Sequence, residues 1–169
     1  FIDPSGGCGD PAPLPQSGSE PPYNPNPWNT PSHQPNNNCY AYACDNPVPN
    51  RPIKPQPGNA SGKPPLKQKE ITCTSVSVRA VADGYTPVDC DACCPNGTYK
   101  VALVVDPHVD YHWYRQDQGG NFSHKPGGGP TTNLDNNGNL IIDPRQANTG
   151  SYTNFCGCYC VPAGGIPVK

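Results

Sequence analysis

Ten cysteines in a chain of 169 residues set the strongest limit on how it can fold. Cys8, Cys39, Cys44, Cys73, Cys90, Cys93, Cys94, Cys156, Cys158 and Cys160 give an even count at a density that reducing cytosol rarely carries. A disulfide framework is therefore expected, each bridge contributing about 2–4 kcal/mol. The spacing leaves the connectivity open. Zinc is the competing use of these thiolates. Cys90-x-x-Cys93-Cys94 and Cys156-x-Cys158-x-Cys160, however, lack the paired spacing of a regular zinc knuckle.

The framework is needed because the core must be small. The chain holds 25 prolines and 18 glycines, about a quarter of its residues, and they are unevenly spread. Ten prolines fall in residues 1–37 and seven more in 45–65. Residues 1–37 therefore read as an extended Pro-rich arm, 38–160 as the folded domain, and 161–169 as a polar tail. The arm cannot bury its own apolar side chains. Phe1, Ile2, Leu14, Tyr23 and Trp28 are its expected anchors on a surface outside it, with Cys8 a possible covalent tether.

The net charge of −2 comes without a basic tract, which argues against nucleic acid or an anionic membrane as partner. No apolar run is long enough to span a bilayer. The chain starts at Phe1 and has no methionine, so it reads as a mature secreted, extracellular product.

The folded part centres on Tyr99–Pro126. Lys100–Asp106 is a β-branched apolar run closed by Asp-Pro, which predicts a buried strand. Asp110–Asp117 alternates Tyr111, Trp113 and Arg115 against His112, Tyr114 and Gln116, as a half-buried strand does. Gly119 and Gly120 supply a hairpin turn, and Phe122–Lys125 returns as a third strand. Val101, Leu103, Val105, Tyr111, Trp113 and Phe122 are the expected core. Asn38 is a good N-cap for a short helix over 39–44, and Thr72–Asp83 predicts a second, stopped by Gly84. The fold class is a small disulfide-rich α+β domain, two short helices packed on an antiparallel sheet.

Two surface features suggest ligands. Asn133, Asp135 and Asn137, followed by Gly138 and Asp143, match part of a calcium loop in outline, although the twelfth position is Pro144 and a hairpin turn competes. No other cofactor is implied. Asn59-Ala60-Ser61, Asn96-Gly97-Thr98 and Asn121-Phe122-Ser123 are N-glycosylation sequons in turn contexts.

One constellation suggests catalysis. Cys39 begins a helix, where the helix dipole lowers a thiol's pKa, and strand-borne His112 and His124 could complete an ion pair. The stretches NNNCYAYA, YHWYRQD and NFSHK carry this order. They resemble the papain-like and NlpC/P60 cysteine hydrolases, in which the third position is sometimes histidine. The resemblance implies Cys39 as nucleophile, His112 as base and His124 as third member, acting on peptide or cell-wall amide bonds. The phrases YHWYRQDQGGNFSHKPG and NLDNNGNLIIDP also resemble an uncharacterised family of small secreted bacterial proteins, over about residues 36–160. The competing expectation is that Cys39 is bridged, most simply to a cysteine of this chain, and chemically inert.

Two functions remain. The first is a secreted, glycosylated structural subunit whose arm docks on the next copy, head to tail, to build a filament. The second is the cysteine hydrolase. The cysteine density and the arm favour the first.

Overall fold

A computed structural model describes residues 14–169. Helix α1 spans Cys39–Ala43 and α2 spans Cys73–Ala82, with strands β1 (Thr86–Val88), β2 (Thr98–Asp106), β3 (Asp110–Gln116), β4 (Phe122–Ser123) and β5 (Asn154–Pro162). The expected caps form. Asn38 accepts from the Ala41 N–H and Thr72 from the Ser75 N–H, satisfying donors that a helix start leaves free. Gly84, at φ 117°, ends α2 in a conformation other residues avoid.

The strands form one antiparallel sheet in the order β1-β5-β2-β3-β4. The β2–β3 register pairs Leu103 with Trp113 and Asp106 with Asp110, as the alternation in sequence requires. The C-terminal strand was not legible locally. β5 inserts between β1 and β2, so the last strand of the chain lies inside the sheet rather than at its edge. Val161 and Val168 are buried in the core, so residues 161–169 are not merely a polar tail.

Both faces of the sheet are covered, which corrects the half-buried reading of β3. On one face Tyr99, Val101, Leu103, Val105, Tyr111 and Trp113 pack under α1 and α2. Trp113 is fully buried, its ring 5.0 Å from Tyr85 and 5.8 Å from Tyr40. On the other face Ala102, Val104, Tyr114 and Phe122 meet Leu14 and Ile141. That second layer is built from irregular chain rather than helix, which is why sequence periodicity gave no sign of it.

Part of the layer is the Pro-rich arm. Leu14 is fully buried against the sheet, and Trp28 packs edge-on against Tyr42 of α1 at 4.9 Å. The Leu14 carbonyl accepts from Gln116, the Pro15 carbonyl from Lys100, and the Pro21 carbonyl from the Gln118 N–H. Residues 14–37 thus wrap their own domain, and Leu14 and Trp28 are anchors within the chain rather than onto a neighbour. Tyr23 stands exposed, while Phe1, Ile2 and Cys8 lie outside the described residues.

Disulfides join the two faces to β5. Cys73 pairs with Cys156, Cys90 with Cys158 and Cys94 with Cys160, and Cys93 is also bridged. Three alternating cysteines on a regular strand would share one face. A β-bulge prevents that. Leu103 pairs with Gly157 and Val104 with Phe155, so Cys156 is the extra residue and turns toward α2, while Cys158 and Cys160 keep the opposite face. Cys39 and Cys44 are not bridged, against expectation: both are buried thiols, Cys39 opening α1 and Cys44 capping its end. The sulfur of Cys44 lies 3.0 Å from the Tyr85 hydroxyl.

Two lysines are buried as structural pins. Lys100 Nζ donates to the carbonyls of Cys90, Ala92 and Pro15, fixing the cysteine loop and the arm on β2. Lys125 Nζ donates to those of Gln34, Asn37 and Gly127, holding the entry to α1. Each ammonium uses all three donors, the condition under which a buried lysine is tolerated.

Candidate active site: a thiol and two histidines along one groove

The geometry starts from α1 lying on β3. Cys39, the first residue of the helix, is 6% exposed and packs in the aromatic core with Tyr111 and Trp113. It lines one cavity with His112, whose side chain belongs to the opposite face of β3. Burial pushes the thiol up to about 12. The resting group is a thiol, not the thiolate that a helix-dipole argument predicts.

His112 and His124 sit on the face away from the aromatic core. His112 Nε2 lies 2.7 Å from His124 Nδ1, and His124 Nε2 lies 2.8 Å from the Leu134 carbonyl oxygen. A carbonyl only accepts, so His124 carries its proton on Nε2 and its Nδ1 accepts. His112 must then donate from Nε2, which leaves its Nδ1 with a lone pair. That Nδ1 makes no hydrogen bond among the described residues and is not among the sealed polar atoms that lack a partner. Burial drives the His112 imidazole down to about 3, helped by the charge on His124, and lowers His124 as well. Both rings are neutral at pH 7. Tyr152 stacks on His112 at 5.4 Å, and its hydroxyl donates to Asp110 Oδ2.

Cys39 and His112 line one cavity of about 290 Å³, with Asn38, Lys54, Asp110 and Tyr152 also on its wall. A second cavity of about 280 Å³ is lined by His112, His124, Tyr114 and Asn136, and it shares Asp110, His112, Gly127 and Tyr152 with the first. The two make a groove running over His112. Lys54 and Tyr152 were not singled out from sequence, since nothing local ties them to Cys39.

The other candidate residues do not join this groove as ligands. Asp135 is held by backbone N–H groups: Oδ1 accepts from Asn137 and Asn139, and Oδ2 from Asn148. Asp143 pairs with Arg145, which also binds Asp91. Residues 133–143 form a turn pinned by its own acid, with Leu134 bridged to Leu140, and among the described residues no cluster of acids, histidines and cysteines is arranged to hold a metal ion. Of the sequons, Asn96 is exposed, whereas Asn59 and Asn121 are partly buried.

A buried network at the other end of β3 shows what the strand's polar residues do away from the groove. Arg115 bonds Asp117 at 3.0 Å and the Tyr42 hydroxyl at 2.8 Å, and Ser123 donates to Asp117. These residues tie α1, β3 and β4 together and are structural.

Comparison with known proteins bears on the whole chain. Over 138 residues it is 38% identical to insoluble matrix shell protein 1 of Ruditapes philippinarum, covering 80% of this chain and 86% of that protein. The chain belongs to this family of shell matrix proteins. No family model matches it, and no solved structure does. The resemblances to a bacterial family and to the NlpC/P60 hydrolases find no support in these comparisons; the relative is a mollusc protein.

Proposed function

We propose that this protein is a secreted structural component of an insoluble extracellular matrix. The observation that carries the reading is the 38% identity over four-fifths of the chain to a protein named for that role. The structure is consistent with the setting. Three bridges converge on the interior strand β5, each closing a loop of 66 to 83 residues, which suits an oxidising compartment and a domain that must persist there. Net charge of −2, with 13 acidic residues against 11 basic, does not suggest a polyanionic surface, so the protein reads as framework rather than as an acidic mineral binder.

Two finer features belong to this proposal. Copies associate with one another, through surfaces other than residues 14–37, because those residues are buried against their own domain. A glycan is carried at Asn96, the exposed sequon. The experiment is fractionation: extracellular matrix from the source tissue is separated into soluble and insoluble parts and both are analysed by mass spectrometry. Recovery in the insoluble fraction, with a glycosidase-sensitive peptide containing Asn96, is expected. Recovery only from the cell interior or the soluble fraction overturns the reading. Light scattering of the purified protein tests association, and a monomer at all concentrations removes that part.

A further inference from the structure

Association of copies needs a surface, and strand addition does not supply one. The edge strands of the sheet are β1 and β4. β1 is three residues long with Pro87 at its middle, and Phe122 of β4 is already bridged to Ile141, so neither presents a run of free backbone groups.

Exposed apolar side chains gather instead on two patches, one outside each face of the sheet. On the face covered by irregular chain, Leu134 and Leu140 stand opposite each other in the turn at 133–143. Strand-like alternation sends Ile141 into the core and leaves Leu140 and Ile142 half exposed, on the rim of a cavity of about 200 Å³ lined also by Gln146 and Ala147. Asp135 pins this turn through three backbone N–H groups, so its apolar face is presented ready-formed. On the face covered by helices, α2 buries Val76 and Ala80 and turns Val78 and Val81 to solvent. Val78 lines a groove of about 320 Å³ whose other wall is Lys63, Pro64 and Glu70.

The two patches carry opposite charge. Asp89, Asp91, Asp135 and Asp143 lie in and beside the turn, and the one cation among them, Arg145, is shared between Asp91 and Asp143. Around α2 the balance is reversed: six of the 11 basic residues fall in 51–79, where Glu70 is the sole acid. Glu70 is taken up by Arg79, and Asp83 at the end of α2 by the Tyr40 hydroxyl, the Gly58 N–H and Ser61. Lys63, Lys67 and Lys69 are exposed and make no ion pair among the described residues. Lying outside opposite faces of the sheet, the two patches of one copy cannot meet each other.

We propose that the turn at 133–143 of one copy docks on the α2 face of the next, Leu134, Leu140 and Ile142 meeting Val78 and Val81. The aspartates of the first copy then face Lys63, Lys67 and Lys69 of the second. This rests on the reading that copies associate, and it names the surface and the partner, a second copy of this chain. The apolar side chains supply attraction and the charges supply orientation, because turn against turn or helix against helix would juxtapose like charges. The contact is heterologous. Each pair keeps one free turn and one free α2 face, so assembly continues instead of stopping at a dimer.

The test uses the full-length protein with its disulfides intact, followed by light scattering and sedimentation as concentration rises, in about 0.02 M and about 0.5 M salt. The parent should grow beyond a dimer, and less so at the higher salt. Leu140→Thr with Ile142→Thr removes one patch, and Val78→Gln with Val81→Gln removes the other, each with side chains suited to its backbone. Either variant alone should associate about 10-fold or more weakly than the parent. Mixed in equal amounts, the two should form a one-to-one complex and nothing larger, since each retains the patch that the other lacks. Circular dichroism checks that both stay folded. If one does not, carbodiimide coupling of the parent, mixed with isotope-labelled protein, decides: cross-links between copies must join a lysine of 63–69 to an aspartate of 89–91 or 133–143. A parent that stays monomeric at every concentration overturns the association reading and this contact with it. Assembly undiminished in either variant, a mixture that does not pair, or inter-copy cross-links only elsewhere overturns this contact and leaves association standing.

Discussion

Acid should weaken this protein between pH 7 and pH 5, through His112. The folded imidazole takes up its proton only near pH 3, because burial and the adjacent His124 oppose the charge, while an unfolded histidine does so near 6.5. The folded pKa is the lower one, so the unfolded state binds more protons throughout that window. Stability is therefore fully present above 6.5 and is lost as pH falls toward 3. The loss approaches about 1.4 kcal/mol per pH unit, which gives about 2 kcal/mol by pH 5. His124 is shifted in the same direction and adds to it. The local geometry gives the same sign. His124 already carries a proton on Nε2, and a second one on Nδ1 would face the His112 N–H across 2.7 Å. Urea midpoints at pH 7 and pH 5, with disulfides intact, measure the effect, and most carboxylates titrate below this interval. His112→Gln keeps a donor toward His124 but removes the titrating ring, so it should lose most of the pH dependence. A parent midpoint that does not move, or a variant with the same slope, would refute the account.

Three further outcomes follow from the packing. Trp113→Ala should cost about 3–5 kcal/mol by chemical denaturation, since the ring is fully enclosed by Tyr40, Tyr85 and Tyr159; a loss below about 1 kcal/mol would mean the cluster collapses freely. Arg115→Leu should destabilise by about 3–5 kcal/mol, because Asp117 is left as a buried unpaired acid, and Arg115→Leu with Asp117→Asn should recover part of that loss in a double-mutant cycle. Removing the Cys73–Cys156 bridge by paired alanines should lower stability by about 4 kcal/mol from loop closure over 83 residues, and limited proteolysis should then open α2 first.

The sequence by itself determined the local elements. Asn38 and Thr72 mark where α1 and α2 start, because a side-chain acceptor is needed for free N–H groups at those points and nowhere else nearby. The β-branched run of β2, the alternation of β3 and the glycines between β3 and β4 fixed a meander with one register, since a one-residue slip would turn Trp113 to the other face. Order of residues also placed Cys39 on a helix and His112 on β3, whereas β4 stops at Ser123 and His124 makes only an isolated bridge to Thr132. Everything that depends on pairing across distance was decided by the tertiary structure. β5 shows no signal for lying inside the sheet between β1 and β2, and its cysteines reach two faces only because the bulge at Cys156 breaks the alternation. The Pro-rich residues 14–37 lack any periodicity, yet they become the second layer because Lys100, Gln116 and the backbone of Gln118 supply the hydrogen bonds that an extended segment cannot make within itself. The state of Cys39 follows the same division: composition argued for a bridge, whereas the fold buries it as a thiol on α1, beside β3, while cysteines far away in sequence take one another. A disulfide needs two Cβ atoms about 4 Å apart, and only the fold sets that distance.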